Sequence, residues 1–142
     1  MTAGDETTQA AALMAVLALE ERETDLFVGQ TPRTSMQRIF GGQVAGQALM
    51  AATRTLPEER GVHSLHSYFL RPGDPHEEIR YAVERIRDGG SFLTRRVVAR
   101  QQGRPIYYET INFQRSEHGY DHQDAMPEVG PPDEGFDLVE LM

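Results

Sequence analysis

No cysteine occurs among the 142 residues, an absence that removes disulfides, thiolate nucleophiles and thiolate metal sites together. A reducing cytosol suits such a chain. Positive charge is also scarce, with 14 basic against 22 acidic residues and a net charge of −8, which opposes nonspecific binding to nucleic acid or to an anionic membrane surface. Long hydrophobic runs are missing as well. The longest, Ala10 to Leu19, falls well short of the roughly 18 residues that suggest a membrane span. Asp5 and Glu6 precede it and the first basic residue is Arg22, the wrong charge order for a secretory signal. These absences predict a cytoplasmic protein that neither spans a membrane nor binds nucleic acid.

What is present fits one globular domain. The length allows a single core, and 39% hydrophobic with 25% charged residues is near the globular average. Thr7 and Thr8 offer a cap for a first helix, in which Ala10, Leu13, Met14 and Leu17 recur at helical spacing, and the helix is expected to reach about Glu23 within an N-terminal unit of residues 1–24. Leu26-Phe27-Val28 reads as a short strand before Thr31-Pro32. Gly41-Gly42 then opens a second helix to about Thr55, whose stripe of Val44, Ala45, Ala48, Leu49 and Ala52 is nearly all small. Small side chains let a helix approach its neighbours closely, as enclosure by a curved sheet requires.

From Val62 the pattern changes to strands. Val62–Leu70 is β-branched and aromatic, and ends at Arg71-Pro72-Gly73-Asp74-Pro75, which cannot continue a ladder. Ile79, Tyr81 and Val83 alternate with Arg80 and Glu84; Asp88-Gly89-Gly90 turns the chain into a strand from Phe92 to Gln101, and Gly103 turns it again into Ile106–Gln114. The expectation is α+β: four long antiparallel strands after one central helix, within residues 25–115. Residues 116–142 read as a linker or the interrupted start of a second unit, being acidic and proline-bearing before a final apolar stretch from Phe136 to Met142.

The residues that could carry chemistry are few. Amides at the Gly41-Gly42-Gln43 helix start carry positive potential and suit a carbonyl oxyanion or a phosphate, although two glycines also serve a tight turn. His63 and His66 are three apart on a strand, a spacing that sends alternate side chains to opposite faces and argues against a shared metal; His63 alone could act as an acid or base. His118 and His122 fall in the polar tail. Arg95, Arg96 and Arg100 make a basic strand whose two faces cannot both serve one ligand, and Arg71 follows another strand. Neither GxGxxG, GxxxxGK[ST] nor GxSxG occurs. Catalysis is not visible from spacing.

Taken as ordered segments, however, Leu26–Gln30, Arg38–Leu49 (RIFGGQVAGQAL) and Val62–Gly73 (VHSLHSYFLRPG) resemble the type II acyl-CoA thioesterases, as do Arg87–Phe92, Arg95-Arg96-Val97 and Gly103–Ile106. The resemblance implies a hot-dog fold, a curved antiparallel sheet wrapped around one long helix. It also implies hydrolysis of fatty acyl-CoA by water to free fatty acid and coenzyme A, with no metal or redox cofactor. Two hot-dog domains form the family's usual unit, and its catalytic aspartate, hydroxyl residue and glutamine belong to the second. Here Gly42 and Gln43 stand where that aspartate would be, so no catalytic set transfers to this chain. Gly41, Gly42, Gln43 and Arg96 are left as substrate-binding candidates and His63 as an accessory one. The expected partners are acyl-CoA and a second hot-dog domain or another copy of the chain. A noncatalytic acyl-CoA-binding homodimer is the alternative.

Overall fold

A computed structural model describes residues 3–32, 34–131 and 134–135. Helix α1 (Ala3–Leu17) leads into strands β1 (Glu20–Glu23) and β2 (Leu26–Gly29), then helix α2 (Gly41–Thr53). Strands β3 (Gly61–Phe69), β4 (Ile79–Asp88), β5 (Phe92–Gln101) and β6 (Arg104–Gln114) complete the chain's regular structure among the described residues. All six strands form one antiparallel sheet in the order β1-β2-β4-β5-β6-β3. α2 packs across the inner face of β2, β4, β5 and β6. This is the hot-dog arrangement that the resemblance implies.

The inner face follows from period-two alternation. Ile79, Tyr81 and Val83 of β4, Leu93, Val97 and Ala99 of β5, and Tyr107, Ile111 and Phe113 of β6 are buried against α2, while intervening residues face outward. Ala48, Ala51 and Ala52 have no exposed surface, so the helix backbone sits close to the sheet as the small stripe predicts. Each large apolar side chain buried there contributes about 1.5–3 kcal/mol. Turn chemistry also matches: Gln102 (φ 48°) and Gly103 (φ 76°) form the two-residue connection between β5 and β6, where left-handed backbone favours glycine.

Three expectations need correction. The first helix ends at Leu17 rather than near Glu23; residues 20–23 form an exposed edge strand paired with β2, turned by Asp25 at φ 62° and held by paired hydrogen bonds from the Arg85 guanidinium to the Asp25 carboxylate. Charged side chains suit an edge, and tertiary pairing overrides the local helical pattern. Leu13 and Met14 lie exposed because α1 meets α2 through its last turn, where Leu17 approaches Gly46 and the Val16 carbonyl accepts from Gln47 Nε2. α2 stops at Thr53, two residues early, and its buried face is Val44, Gln47, Ala48, Ala51 and Ala52, with Ala45 and Leu49 only partly covered. Residues 116–131 carry no regular structure and are exposed, whereas the terminal apolar stretch lies outside the described residues.

Candidate functional site

The N-terminus of α2 opens onto a cavity of about 290 Å³ lined by Gly41, Val44, Phe69, Arg71, Ile106 and Tyr107, among others. No side chain caps the first turn and no acidic residue stands in it, so its leading amides keep the positive end of the helix dipole unneutralised. Gly41 faces the Phe69 ring, which a Cβ would meet at 3.0 Å. Gly42 is exposed. Gln43 turns the other way, its Nε2 donating to the Gln30 carbonyl at 3.3 Å and to Thr31 Oγ1 at 3.1 Å, which ties α2 to the segment after β2. That amide nitrogen is committed to the scaffold.

The other candidates are not gathered at this cavity. Arg96 stands on the outer face of β5, paired with Glu84 of β4, on the side of the sheet opposite α2. His63 sits at the far end of β3 from Phe69, six residues or roughly 20 Å along the strand. A bulge between Val62 and Ser64 breaks the strict alternation there, so the His63 ring meets Phe92 edge-on at 5.5 Å while His66 leans on Tyr68. The two histidines therefore engage different partners. Arg95 is wholly buried and serves the core: its guanidinium donates to Thr55 Oγ1 and to the carbonyls of Thr55, Arg87 and Thr94, and pairs with Asp88 at 2.6 Å.

A polar network beneath α2 was not foreseen from the sequence. Tyr81 donates to Gln47 Oε1 at 2.7 Å, and Gln47 Nε2 donates to the carbonyls of Val16 (2.7 Å) and Gln30 (3.1 Å). Gly29 makes room, since a Cβ there would fall 2.5 Å from Gln47 Oε1. On β6, the Tyr107 hydroxyl donates to Glu109 Oε2. Glu109 has no exposed surface, and its Oε1 has no partner. Burial pushes the Glu109 carboxyl above the usual carboxylate range, with the Tyr107 hydrogen bond opposing the rise. Burial likewise pushes the Tyr81 and Tyr107 hydroxyls up, so both remain protonated donors. The signal was present: Tyr107, Glu109 and Ile111 share one alternation phase, which places an acid in a core row, and Gln47 falls on the Val44–Ala48–Ala51 face.

Strand β3 differs from every other long strand. It pairs with β6 alone and presents its second edge to solvent, and Val62, Leu65, Tyr68 and Phe69 are all about half exposed or more.

The chain's likeness to known proteins agrees with this geometry. The family described as acyl-CoA thioesterase N-terminal domain matches residues 30–114. The chain belongs to that family. It is 45% identical over 128 residues to human acyl-coenzyme A thioesterase 8, covering 89% of this chain and 40% of that protein. It is 42% identical over 125 residues to acyl-CoA thioesterase 2 of Haemophilus influenzae, covering 88% and 44%. Among solved structures, the acyl-CoA thioesterase II TesB2 of Mycobacterium marinum superposes with a TM-score of 0.75 at 48% identity, covering 85% of this chain and 45% of that one. A hot-dog protein from Alicyclobacillus acidocaldarius, 24% identical with a TM-score of 0.75 over 87% and 47%, shares the fold. The chain thus spans less than half the length of these thioesterase relatives.

Proposed function

We propose that this chain serves as the N-terminal hot-dog half of a cytoplasmic acyl-CoA thioesterase acting in fatty acyl-CoA hydrolysis, with the groups that activate water supplied by a second hot-dog domain. The carrying observation is the open edge of β3, an apolar strand paired on one side only, in a chain that spans less than half of relatives named as acyl-CoA thioesterases. Adding a strand there would satisfy the free backbone groups and cover Leu65 and Phe69. The second domain comes from a continuation of the chain after the segment 116–142 or from a separate chain.

In this division of labour the α2 start and its cavity bind acyl-CoA, with Gly41 and Gly42 presenting amides to a carbonyl or phosphate oxygen and Phe69, Val44 and Ile106 supplying apolar wall. Gln43 fixes the helix start. Arg96 and His63 lie too far from the cavity to touch the same part of the ligand, and would act at the edge or outer face of the assembly. The absence of an acid from the first turn of α2 supports the view that water activation happens elsewhere. No metal or redox group is required for hydrolysis of a thioester by an oriented water.

A thiol-release assay on a fatty acyl-CoA tests the reading. The chain alone should release no coenzyme A above background, and release should appear when a complementary second half is supplied. Turnover by the chain alone would overturn it. A second reading, a noncatalytic acyl-CoA-binding homodimer, is favoured by one feature: β3 carries no Asp, Glu, Lys or Arg in a chain of net charge −8, so two copies could meet there without repulsion. Its signature would be acyl-CoA binding without hydrolysis, whichever second half is added.

A further inference from the structure

Two loops meet at the cavity beside the α2 start, and each brings an arginine to its lining. Ile39 N donates to the Gly73 carbonyl at 3.1 Å, which joins the segment before α2 to the segment after β3. Gly73 permits this approach, because a Cβ there would fall 2.8 Å from Ile39 Cδ1. Arg38 lies one residue from that bond and Arg71 two, so the backbone holds the pair together at the cavity. Arg71 is fixed further. Its amide and that of Leu70 donate to the Ile106 carbonyl, and its Nη1 donates to the Pro105 carbonyl at 2.7 Å. Among the described residues, Nε and Nη2 of Arg71 have no protein partner, and neither has the Arg38 guanidinium.

The charge around this cavity runs against the rest of the chain. With 22 acidic and 14 basic residues, most arginines find a carboxylate: eight in the described residues stand within 4.0 Å of one, and Arg38 and Arg71 are not among them. No aspartate or glutamate lines the cavity. Elsewhere the lining is balanced, with Glu77 and Glu78 set against Arg80 and Arg100 in one cavity and Glu117 against Arg115 in another. The acid next after Gly73, Asp74, accepts instead from the His76 amide at 2.9 Å. Both cavity arginines are exposed, so an incoming anion reaches them without rearrangement of the core.

We propose that Arg38 and Arg71 bind the phosphate end of coenzyme A at this cavity. The assignment rests on the acyl-CoA reading given above, and decides between the carbonyl and the phosphate oxygen in favour of the phosphate. A thioester carbonyl carries no net charge to offset two unpaired guanidiniums, whereas phosphate oxygens accept paired hydrogen bonds from the planar guanidinium fork. The thioester is then left to lie against the second domain, where the water-activating groups are placed. Arg71 is preorganised by Pro105, and Arg38 closes on the phosphate from the facing loop.

Calorimetric titration of the full chain tests this with two non-hydrolysable thioethers, S-hexyl-coenzyme A and S-hexylpantetheine, which carry the same alkyl group with and without phosphates. The coenzyme A thioether should bind at least about tenfold more tightly, and the margin should shrink as sodium chloride rises from about 0.05 to about 0.5 M. Arg38→Gln and Arg71→Gln should each weaken it at least about fivefold and leave S-hexylpantetheine unchanged. Arg22→Gln, the same loss of charge on the far edge of the sheet, should change neither. Should Arg71→Gln disturb the start of β6, Arg38→Gln still decides, since that side chain is exposed and has no partner to lose. Equal binding of the two thioethers, or less than about twofold loss in Arg38→Gln, overturns the inference and leaves the acyl-CoA reading standing. Inorganic diphosphate that binds as tightly as S-hexyl-coenzyme A overturns the assignment to the coenzyme in favour of a free phosphate. Failure of both thioethers to bind overturns the acyl-CoA reading as well.

Discussion

β3 and β6 are neighbours with the same alternation of apolar and polar residues, yet they end in opposite environments. Along β6 the inner-face residues Tyr107, Glu109, Ile111 and Phe113 are wholly buried, while directly opposite them on β3 Leu65 and Phe69 remain about half exposed. The strand pattern does not distinguish the two. What differs is the helix: α2 lies over β4, β5 and β6 and meets β3 only where Gly41 approaches the Phe69 ring. A sequence pattern therefore specifies which face should be covered, and only the third dimension reveals that one strand of the set still lacks its cover. That gap is the physical basis for expecting a second domain.

The sharpest way to break the comparison is to place the same charge in both strands. Ile111→Asp buries an unpaired carboxylate and should prevent folding, whereas Leu65→Asp on the facing strand should change the stability of the isolated chain by less than about 1 kcal/mol. Circular dichroism melts would show it. In the presence of a second hot-dog half, Leu65→Asp should instead abolish association. Retention of full pairing by Leu65→Asp would remove β3 as the docking edge.

Next in size is Arg95, whose buried guanidinium ties β5 to Thr55 after α2. Arg95→Ala leaves a cavity and strips hydrogen bonds from Thr55 and from the carbonyls of Arg87 and Thr94. The expected loss is about 2–3 kcal/mol in urea unfolding. An exposed arginine would give a fraction of that, so a loss below about 0.5 kcal/mol would contradict its structural role.

Arg95 also shows how much of the fold and the site could be read from residues alone. Alternation puts Arg95 and Arg96 on opposite faces, but only the pairing register shows which one enters the core. The four long strands, their turns and the small-residue helix are all legible because period and turn chemistry are local. Edge strand β1 is not: Glu20–Glu23 has no apolar pattern, and its state is decided by pairing with β2. For the site, the Gly41 helix start was visible, yet its cavity needs Phe69 and Arg71 from thirty residues away. The polar network fails to announce itself because Glu109, Tyr107 and Gln47 are far apart in sequence or disguised in strand and helix patterns.

Glu109 gives a pH-dependent form of the comparison. Its folded-state pKa is raised above the ordinary 4.5 by burial, so the folded state favours the neutral acid. That contribution to stability is present below the unfolded-state pKa and is lost as pH rises through the folded value. Glu109→Gln, which cannot ionise, should therefore gain on the parent chain in urea midpoints as pH rises from the carboxylate range towards neutrality. An identical pH profile for the two proteins would show that Glu109 does not titrate in the core.

Arg96 should give the smallest effect, and its smallness is informative. It forms an ion pair with Glu84 across β4 and β5, but both side chains are about half exposed, so water and salt screen the attraction and side-chain ordering offsets much of the rest. Arg96→Ala should cost no more than about 0.5 kcal/mol. Binding of unsubstituted acyl-CoA to the isolated chain should also stay unchanged, because the Gly41 cavity lies on the other side of the sheet. A severalfold loss of binding would mean that the ligand reaches around the sheet to the outer face, and would return Arg96 to the substrate site.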